Sequence, residues 1–416
     1  MPLRRDLSLA RGLAQRAVRS RQQRRRLERL DAERRAREPE AGSVRVAVYF
    51  ADTVVNMYQI RQWYAPLAHL AETFPVAIVA RSPGTMLALL EESPVPVVYA
   101  RQVVDLEAFV ESQPLALTLY VNQNAKNFQM MRYGRMWHVF VNHGESDKMY
   151  MTTNQFKAYD YAFVAGDAAR ARLSAALWDY DLDRRAVPVG RPQADHTAGV
   201  VPFPRDDRTV VLYAPTWEGD RPAAAYGSIA THGTALVRAL LASDRHRLVY
   251  RPHPRSGVLD STYRRAHESI VSAIAAANAS DPAAHHVHDA GGELGWQLAV
   301  ADVAISDISA MVYDRLATGK PLVVTRPTAP EADVDERGYL GSAEWLTAED
   351  AAGVIGVLDR VQADPEARGR LAHWVRHHFG DTSPGAATQR FEDAVARLVA
   401  LRDDYAARDE TGPNEA

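Results

Sequence analysis

Val303-Ala304-Ile305-Ser306-Asp307-Ile308-Ser309-Ala310-Met311-Val312-Tyr313-Asp314, closed by Thr318-Gly319-Lys320-Pro321-Leu322-Val323-Val324, decides the fold of this chain. An apolar run ends in a small polar cluster, a helical pattern follows, and Gly319-Lys320-Pro321 leads into another apolar run. The order is strand, polar turn, helix, turn, strand, which is a βαβ unit. Unpaired backbone N–H groups at a helix start attract anions, so a phosphate or diphosphate is the natural guest of Ser306, Asp307 and Ser309. The plainer alternative is that Asp307 and Ser309 only cap the helix.

The same alternation extends in both directions. Downstream of residue 208, strands are expected at 209–214, 247–250, 301–305 and 321–325. Upstream they are expected at 44–50, 75–80, 95–99, 115–121, 139–142 and 161–165, with a helix at 58–73. Short apolar strands alternating with helical segments predict an α/β protein with helix-flanked parallel sheets. The segment 190–208 is rich in Pro, Gly and Asp and reads as a linker. The expected layout is therefore a helical arm at 1–42, one Rossmann-like domain at 43–190, a linker at 191–208, a second such domain at 209–380, and a helix with tail at 381–416. Two doubly wound domains predict a cleft where strand ends face each other.

Composition narrows the function. The chain has 416 residues, 47% of them hydrophobic and 24% charged, as in ordinary globular proteins. A net charge of −3 argues against bulk attraction to polyanions. Without cysteine, thiolate chemistry, iron–sulfur clusters and cysteine zinc sites are excluded. That fits a cytoplasmic protein, and neither a spanning segment nor a secretory signal is visible. Residues 1–40 stand apart, with thirteen arginines between Arg4 and Arg37 and a leucine stripe at helical spacing. A basic amphipathic helix of this kind suits an anionic membrane surface, although a solvated arm has the same pattern. No aromatic residues interleave with the arginines, so nucleic acid is not expected as a partner.

Four polar clusters fall just beyond strand ends, where such sheets place their chemistry. Asn142-His143-Gly144 offers a tight turn presenting an imidazole, which titrates in the range needed for a general base near neutrality. Local hydrogen bonding is the structural alternative for His143. Tyr213-Ala214-Pro215-Thr216-Trp217 leaves a hydroxyl and an indole at a domain edge, for a stacked base or a lid. In Tyr250-Arg251-Pro252-His253-Pro254, two prolines fix the backbone around His253, and Arg251 supplies a donor fork suited to phosphate. The fourth cluster is the opening stretch. His285, His286 and His288, and the pair His373 and His377, lack an accompanying metal motif, so no metal site is expected. No GxGxxG follows the first strand, so a nicotinamide or flavin is not expected either.

Taken in order, His143-Gly144, Ala214-Pro215-Thr216-Trp217, Arg251-Pro252-His253-Pro254, Ser306-Asp307-Ile308-Ser309 and Gly319-Lys320-Pro321 resemble the CDP-glycerol glycerophosphotransferase family of teichoic acid primases, polymerases and related capsule enzymes. The resemblance runs roughly from Val44 to Arg390 and includes Gly380-Asp381. It departs at Glu145-Ser146-Asp147-Lys148, where the family has a Thr-Pro-Leu-Lys run, and at Asp307-Ile308-Ser309-Ala310, where the family has two serines. The resemblance implies a GT-B architecture with the nucleotide in the second domain, and a basic membrane-binding helix at the N-terminus. It implies a CDP-polyol donor, a lipid-linked or polymeric glycan acceptor, release of CMP, and work on the inner face of the cell membrane without a cofactor. The expected catalytic residues are His143 and His253. Arg251, Ser306, Asp307, Ser309, Thr216 and Trp217 are expected on the donor side, and Gly144, Glu145 and Lys148 on the acceptor side. A nucleotide-sugar glycosyltransferase or epimerase, or a non-catalytic membrane scaffold, are the alternatives.

Overall fold

The computed structural model of the protein describes residues 18, 20–144, 153–196, 199–291 and 294–410. The first sheet contains β1 (Val46–Phe50), β2 (Val76–Ala80), β3 (Val97–Tyr99), β4 (Leu117–Tyr120), β5 (Trp137–Phe140), β6 (Tyr161–Val164) and β7 (Ala186–Pro188). The second contains β8 (Thr209–Ala214), β9 (His246–Tyr250), β10 (Val287–His288), β11 (Val303–Ser306), β12 (Leu322–Thr325) and β13 (Glu344–Leu346). Their orders are β3-β2-β1-β4-β5-β6-β7 and β10-β9-β8-β11-β12-β13. The pairings are parallel throughout the described strands. The strand order of each sheet thus reverses once, between β1 and β4 and between β8 and β11, and these switch points are where such sheets bind ligands. This is the doubly wound pair expected from the sequence.

The apolar runs are continuous because both faces of each sheet are covered. Val46, Val48 and Phe50 face one core layer while Ala47 and Tyr49 face the other. The second sheet divides the same way, with Val211 and Tyr213 on one side and Leu212 and Ala214 on the other. A parallel strand buried on both faces loses the polar alternation of an open sheet.

Three strands escaped the sequence reading: β7, β10 and β13. All three are sheet edges, two or three residues long and partly exposed. The helix expected at 58–73 is divided into Met57–Arg61 and Tyr64–Leu70. Pro66 explains the break, since proline fits the first turn of a helix, where its missing N–H has no partner to lose.

The chain crosses between the domains twice. After Gly190 it runs through the short turn Pro192–Asp195 into the second domain, and after Phe379 it returns. The returning helix Ala386–Glu410 contributes Phe391, Val395 and Leu398 to the core around β1. Both crossings turn on glycines with left-handed backbone, Gly190 at φ +79° and Gly380 at φ +69°. A Cβ on Gly190 would fall 2.3 Å from the Arg390 guanidinium, which itself donates to the carbonyls of Phe379 and Asp381.

Of the N-terminal arm, residues 1–17 and 19 lie outside the described residues. The described part is helical over 20–29, then over Asp31–Ala36. Its leucines are not an open membrane face: Leu27 is buried in the first-domain core and Leu30 packs against it. Arg26 pairs with Glu91, and Arg37 donates to the Ser93 carbonyl. Among the described residues, no helix is long and apolar enough to cross a membrane.

Candidate active site

β5 ends at Phe140, and the next residues turn sharply. The residue that makes the turn is Asn142, at φ +56°, and not Gly144 as the sequence suggested. Asparagine is among the side chains that tolerate this left-handed conformation. The Asn142 carbonyl accepts a hydrogen bond from Trp63 Nε1, and its side-chain amide donates to the Gly144 carbonyl. The turn presents His143, whose Nδ1 lies 2.9 Å from the Val121 carbonyl oxygen. A carbonyl can only accept, so Nδ1 carries the hydrogen and Nε2 holds the basic lone pair. The edge of the His143 ring meets the Tyr58 ring at 5.7 Å.

His143 and Gly144 line a cleft of about 1520 Å³ between the domains. Its first-domain wall comes from Asp52, Tyr58, Gln59 and Asn122, and its second-domain wall includes Ala310, Asp314 and Lys320. Arg191 at the first crossing pairs with Asp314 on the helix Ala310–Leu316. The second-domain residues expected in the site, Thr216, Trp217, Arg251, His253, Ser306, Asp307 and Ser309, all lie outside this wall and cluster at the carboxyl end of the second sheet.

Asp307 is the hub of that cluster, and it faces inward. Its carboxylate is wholly buried and accepts from the backbone N–H of Thr216 at 2.8 Å, from that of Ser228 at 3.1 Å, and from the Thr325 hydroxyl at 2.6 Å. It therefore ties the ends of β8, β11 and β12 together instead of touching a ligand. Burial pushes its carboxyl up to about 6, against the pull of those hydrogen bonds. Ser306 is also buried, with its hydroxyl donating to the Asp307 carbonyl at 3.0 Å. Ser309 is a helix cap: its Oγ accepts from the Met311 N–H at 3.3 Å and donates to the Asp307 carbonyl at 3.2 Å. The capping alternative thus describes Ser309, and the three residues expected on phosphate serve as framework for the loops around them.

Those loops carry Thr216, Trp217, Arg251 and His253. Arg255 stacks its guanidinium over the Trp217 ring at 3.8 Å, and the His253 ring lies 6.4 Å from that indole. The Arg255 N–H donates to His253 Nδ1 at 3.1 Å, so a neutral His253 bears its hydrogen on Nε2. Burial, then the Arg255 charge, hold the imidazole below its usual range, against the pull of Glu218. His253 is accordingly a neutral N–H donor near pH 7. Arg251 is paired with Asp289, whose carboxylate also accepts from Gln297 Nε2. The pair is nearly enclosed, with side-chain exposures of 14% and 10%.

Asp289, Arg255 and Glu218 were not among the residues the sequence singled out for roles. Asp289 follows β10, a strand too short to be seen. Glu218 accepts from the backbone N–H groups of Gly257, Leu259 and Asp260 at 2.9, 2.8 and 3.1 Å. Burial opposes its charge, but these donors and its own N–H hold the carboxyl below the usual range. The expected acceptor-side residues Glu145 and Lys148 lie outside the described residues. Among the described residues, no group of three or more His, Cys, Asp or Glu side chains could hold a metal ion.

A sequence model described as CDP-glycerol:poly(glycerophosphate) glycerophosphotransferase matches residues 138–396. No curated protein sequence matches the chain. Among solved structures, the wall teichoic acid polymerase TagF soaked with CDPG is similar at a TM-score of 0.54 and 14% identity, covering 92% of this chain and 98% of that one. A putative UDP-N-acetylglucosamine 2-epimerase from Listeria monocytogenes is similar at 0.52 and 14%, covering 84% and 95%. At this identity the two structures attest the two-domain fold alone.

Proposed function

The chain belongs to the CDP-glycerol:poly(glycerophosphate) glycerophosphotransferase family, and on that footing we propose that it moves a polyol phosphate from a CDP-activated donor to a hydroxyl of a lipid-linked or polymeric glycan, in the synthesis of a teichoic-acid-like or capsule polymer. The observation that carries this reading is the fixed tautomer of His143 on the cleft wall. With Nδ1–H committed to the Val121 carbonyl, Nε2 takes the proton of the acceptor hydroxyl. The acceptor oxygen then attacks the β-phosphorus, the bond from that phosphorus to the CMP oxygen breaks, and CMP leaves.

On the donor side, the Nε2–H of His253 and the fork of Arg251 hold the diphosphate and meet the charge that gathers on CMP. The Arg251–Asp289 pair keeps the fork oriented. Trp217, with Arg255 on its ring, offers a surface for the base. Asp307, Ser306 and Ser309 act through the loops they brace. No cofactor enters this scheme. The arginines of residues 1–17 (Arg4, Arg5, Arg11 and Arg16), with the exposed Arg21, Arg25 and Arg29 of the described helix, supply the charge that would hold the enzyme on the inner face of an anionic bilayer.

The test is CMP release from CDP-glycerol, with and without a glycan acceptor, alongside CDP-ribitol and UDP-sugars. Acceptor-dependent CMP is the expected result. UDP from a sugar donor would overturn the reaction while leaving the fold in place. His143→Ala is expected to lower turnover by about 10² to 10⁴ with donor binding retained, the usual range for a lost acid–base group. Turnover near the wild-type level in that variant would remove His143 from the reaction.

A further inference from the structure

The switch point of the first sheet lies between β1 and β4, and two of the side chains that follow these strands meet there. Asn122 Nδ2 donates to Asp52 Oδ2 at 3.2 Å and to Gln59 Oε1 at 2.6 Å, and Gln59 Nε2 donates to Tyr58 Oη at 3.3 Å. A carboxylate only accepts, so Asp52 fixes the direction of the whole row: Asn122 presents its amide nitrogen, and Gln59 must present oxygen to Asn122 and nitrogen to Tyr58. Tyr58 Oη thus receives a hydrogen bond from within the protein and has its own O–H to give. All four side chains line the cleft, and Tyr58 is 51% exposed. Asn122 and Gln59 are only 7% and 8% exposed, so the row is a built feature and not a loose surface group.

Its chemistry differs from that of the second-domain cluster. Asp52 is the charged member of the row, while the nearby cation Arg61 is bound to Glu92 at 2.9 and 3.0 Å. A carboxylate beside two amides and an aromatic face recognises hydroxyl groups and an apolar ring face, and it repels phosphate. The ring of Tyr58 stands against His143, so a hydroxyl seated on this row has the catalytic base beside it.

We infer that Tyr58, Gln59, Asn122 and Asp52 form the acceptor subsite, and that it seats an uncharged, polyhydroxylated end unit of pyranose type. Tyr58 covers one ring face and donates its O–H, Asp52 accepts from a hydroxyl, and one hydroxyl is turned toward His143 Nε2. The inference rests on the phosphotransfer reading for its consequence in turnover, but the binding itself can be measured without the donor.

Saturation-transfer NMR with methyl β-D-glucopyranoside and with glycerol 3-phosphate, on the full chain, tests the binding first. The neutral glucoside is expected to bind the wild type, with the signal reduced at least fivefold in Tyr58→Ala and in Asp52→Leu, and glycerol 3-phosphate is expected to be insensitive to both changes. Binding of the glucoside that persists in both variants overturns the subsite, as does loss of glycerol 3-phosphate binding in their place. In the transfer assay, Tyr58→Ala is expected to raise the acceptor KM at least tenfold while calorimetric CDP-glycerol affinity stays within twofold, and Tyr58→Phe is expected to fall between. A donor affinity that drops in parallel means disturbed folding or a different role and overturns the assignment. If the wild type binds the glucoside yet releases no CMP with any donor, the transferase reading fails while the subsite stands.

Discussion

At the scale of single residues, the site depends on which hydrogens are already committed. His143 has its Nδ1–H spent on the Val121 carbonyl, the tautomer the proposed base needs, and His253 has its Nδ1 spent on the Arg255 N–H, the tautomer the proposed donor needs. Asp307 shows the opposite economy: three donors converge on a carboxylate that no solvent reaches. Its folded carboxyl titrates at about 6, above the ordinary 3.8. A raised carboxyl favours the folded state while protonated, so its contribution is fully present below the unfolded value and is lost as pH rises through the folded one. The stability difference between wild type and Asp307→Asn should therefore shrink as pH rises from 4 to 6.5, by up to about 1.4 kcal/mol per pH unit, and level off above that window. Urea denaturation across this range reads it directly, and a pH-independent difference would show that Asp307 stays ionised throughout. The strand-end positions of His143, Arg251 and His253 were legible in the sequence because a turn or flanking prolines isolate them there. The inward aim of Ser306 and Asp307 was not, since a βαβ turn places such residues at the strand end without saying which way they point. Nor was the row from Asp52 to Tyr58, whose members lie on separate elements and spell no motif.

Elements set the second level, and here a loop rather than a helix carries the geometry. The loop from His253 to Asp260 is held by one side chain from the adjoining strand end, Glu218, through three backbone N–H groups. Left-handed Gly257 lets it pass within contact of Arg264, where a Cβ would lie 2.7 Å from Cα. Hydrogen bonds to a charged acceptor contribute about 1.5–3 kcal/mol each when enclosed, and less here because Glu218 is partly exposed. Glu218→Ala frees the loop, and with it the seat of His253 and the Arg255 stack on Trp217. Donor KM is expected to rise roughly tenfold, a loss near the lower end of that range, with acceptor KM unchanged and melting temperature little altered. An equal rise in both constants would mean that Glu218 serves the whole domain. The elements themselves were read well wherever burial on both faces produced an apolar run, as in β1, β8 and β12. β10 and β13 were invisible because an edge strand of two or three residues needs no such run.

The whole molecule is joined by its last helix. Ala386–Glu410 leaves the second domain at Gly380, is pinned by Arg390, and fills the first-domain core with Phe391 and Val395. Phe391 lies on Trp63 at 5.2 Å, and Trp63 donates to the carbonyl of Asn142, the residue whose left-handed turn presents His143. A helix read only as the end of the chain therefore reaches the turn that carries His143 in two contacts. Phe391→Ala should cost about 3–5 kcal/mol of stability, as for other buried aromatic truncations. Because Trp63 loses its packing, kcat should fall further than the folded fraction accounts for, while affinity for CDP-glycerol, whose proposed seat is in the second domain, should stay near wild type. Phe391→Leu, which keeps most of the volume, separates the two effects: it should restore most of the stability and part of the turnover. Turnover per folded molecule equal to wild type in Phe391→Ala would show that Asn142 holds its turn without this helix. The chain's return to its first domain would then serve stability alone.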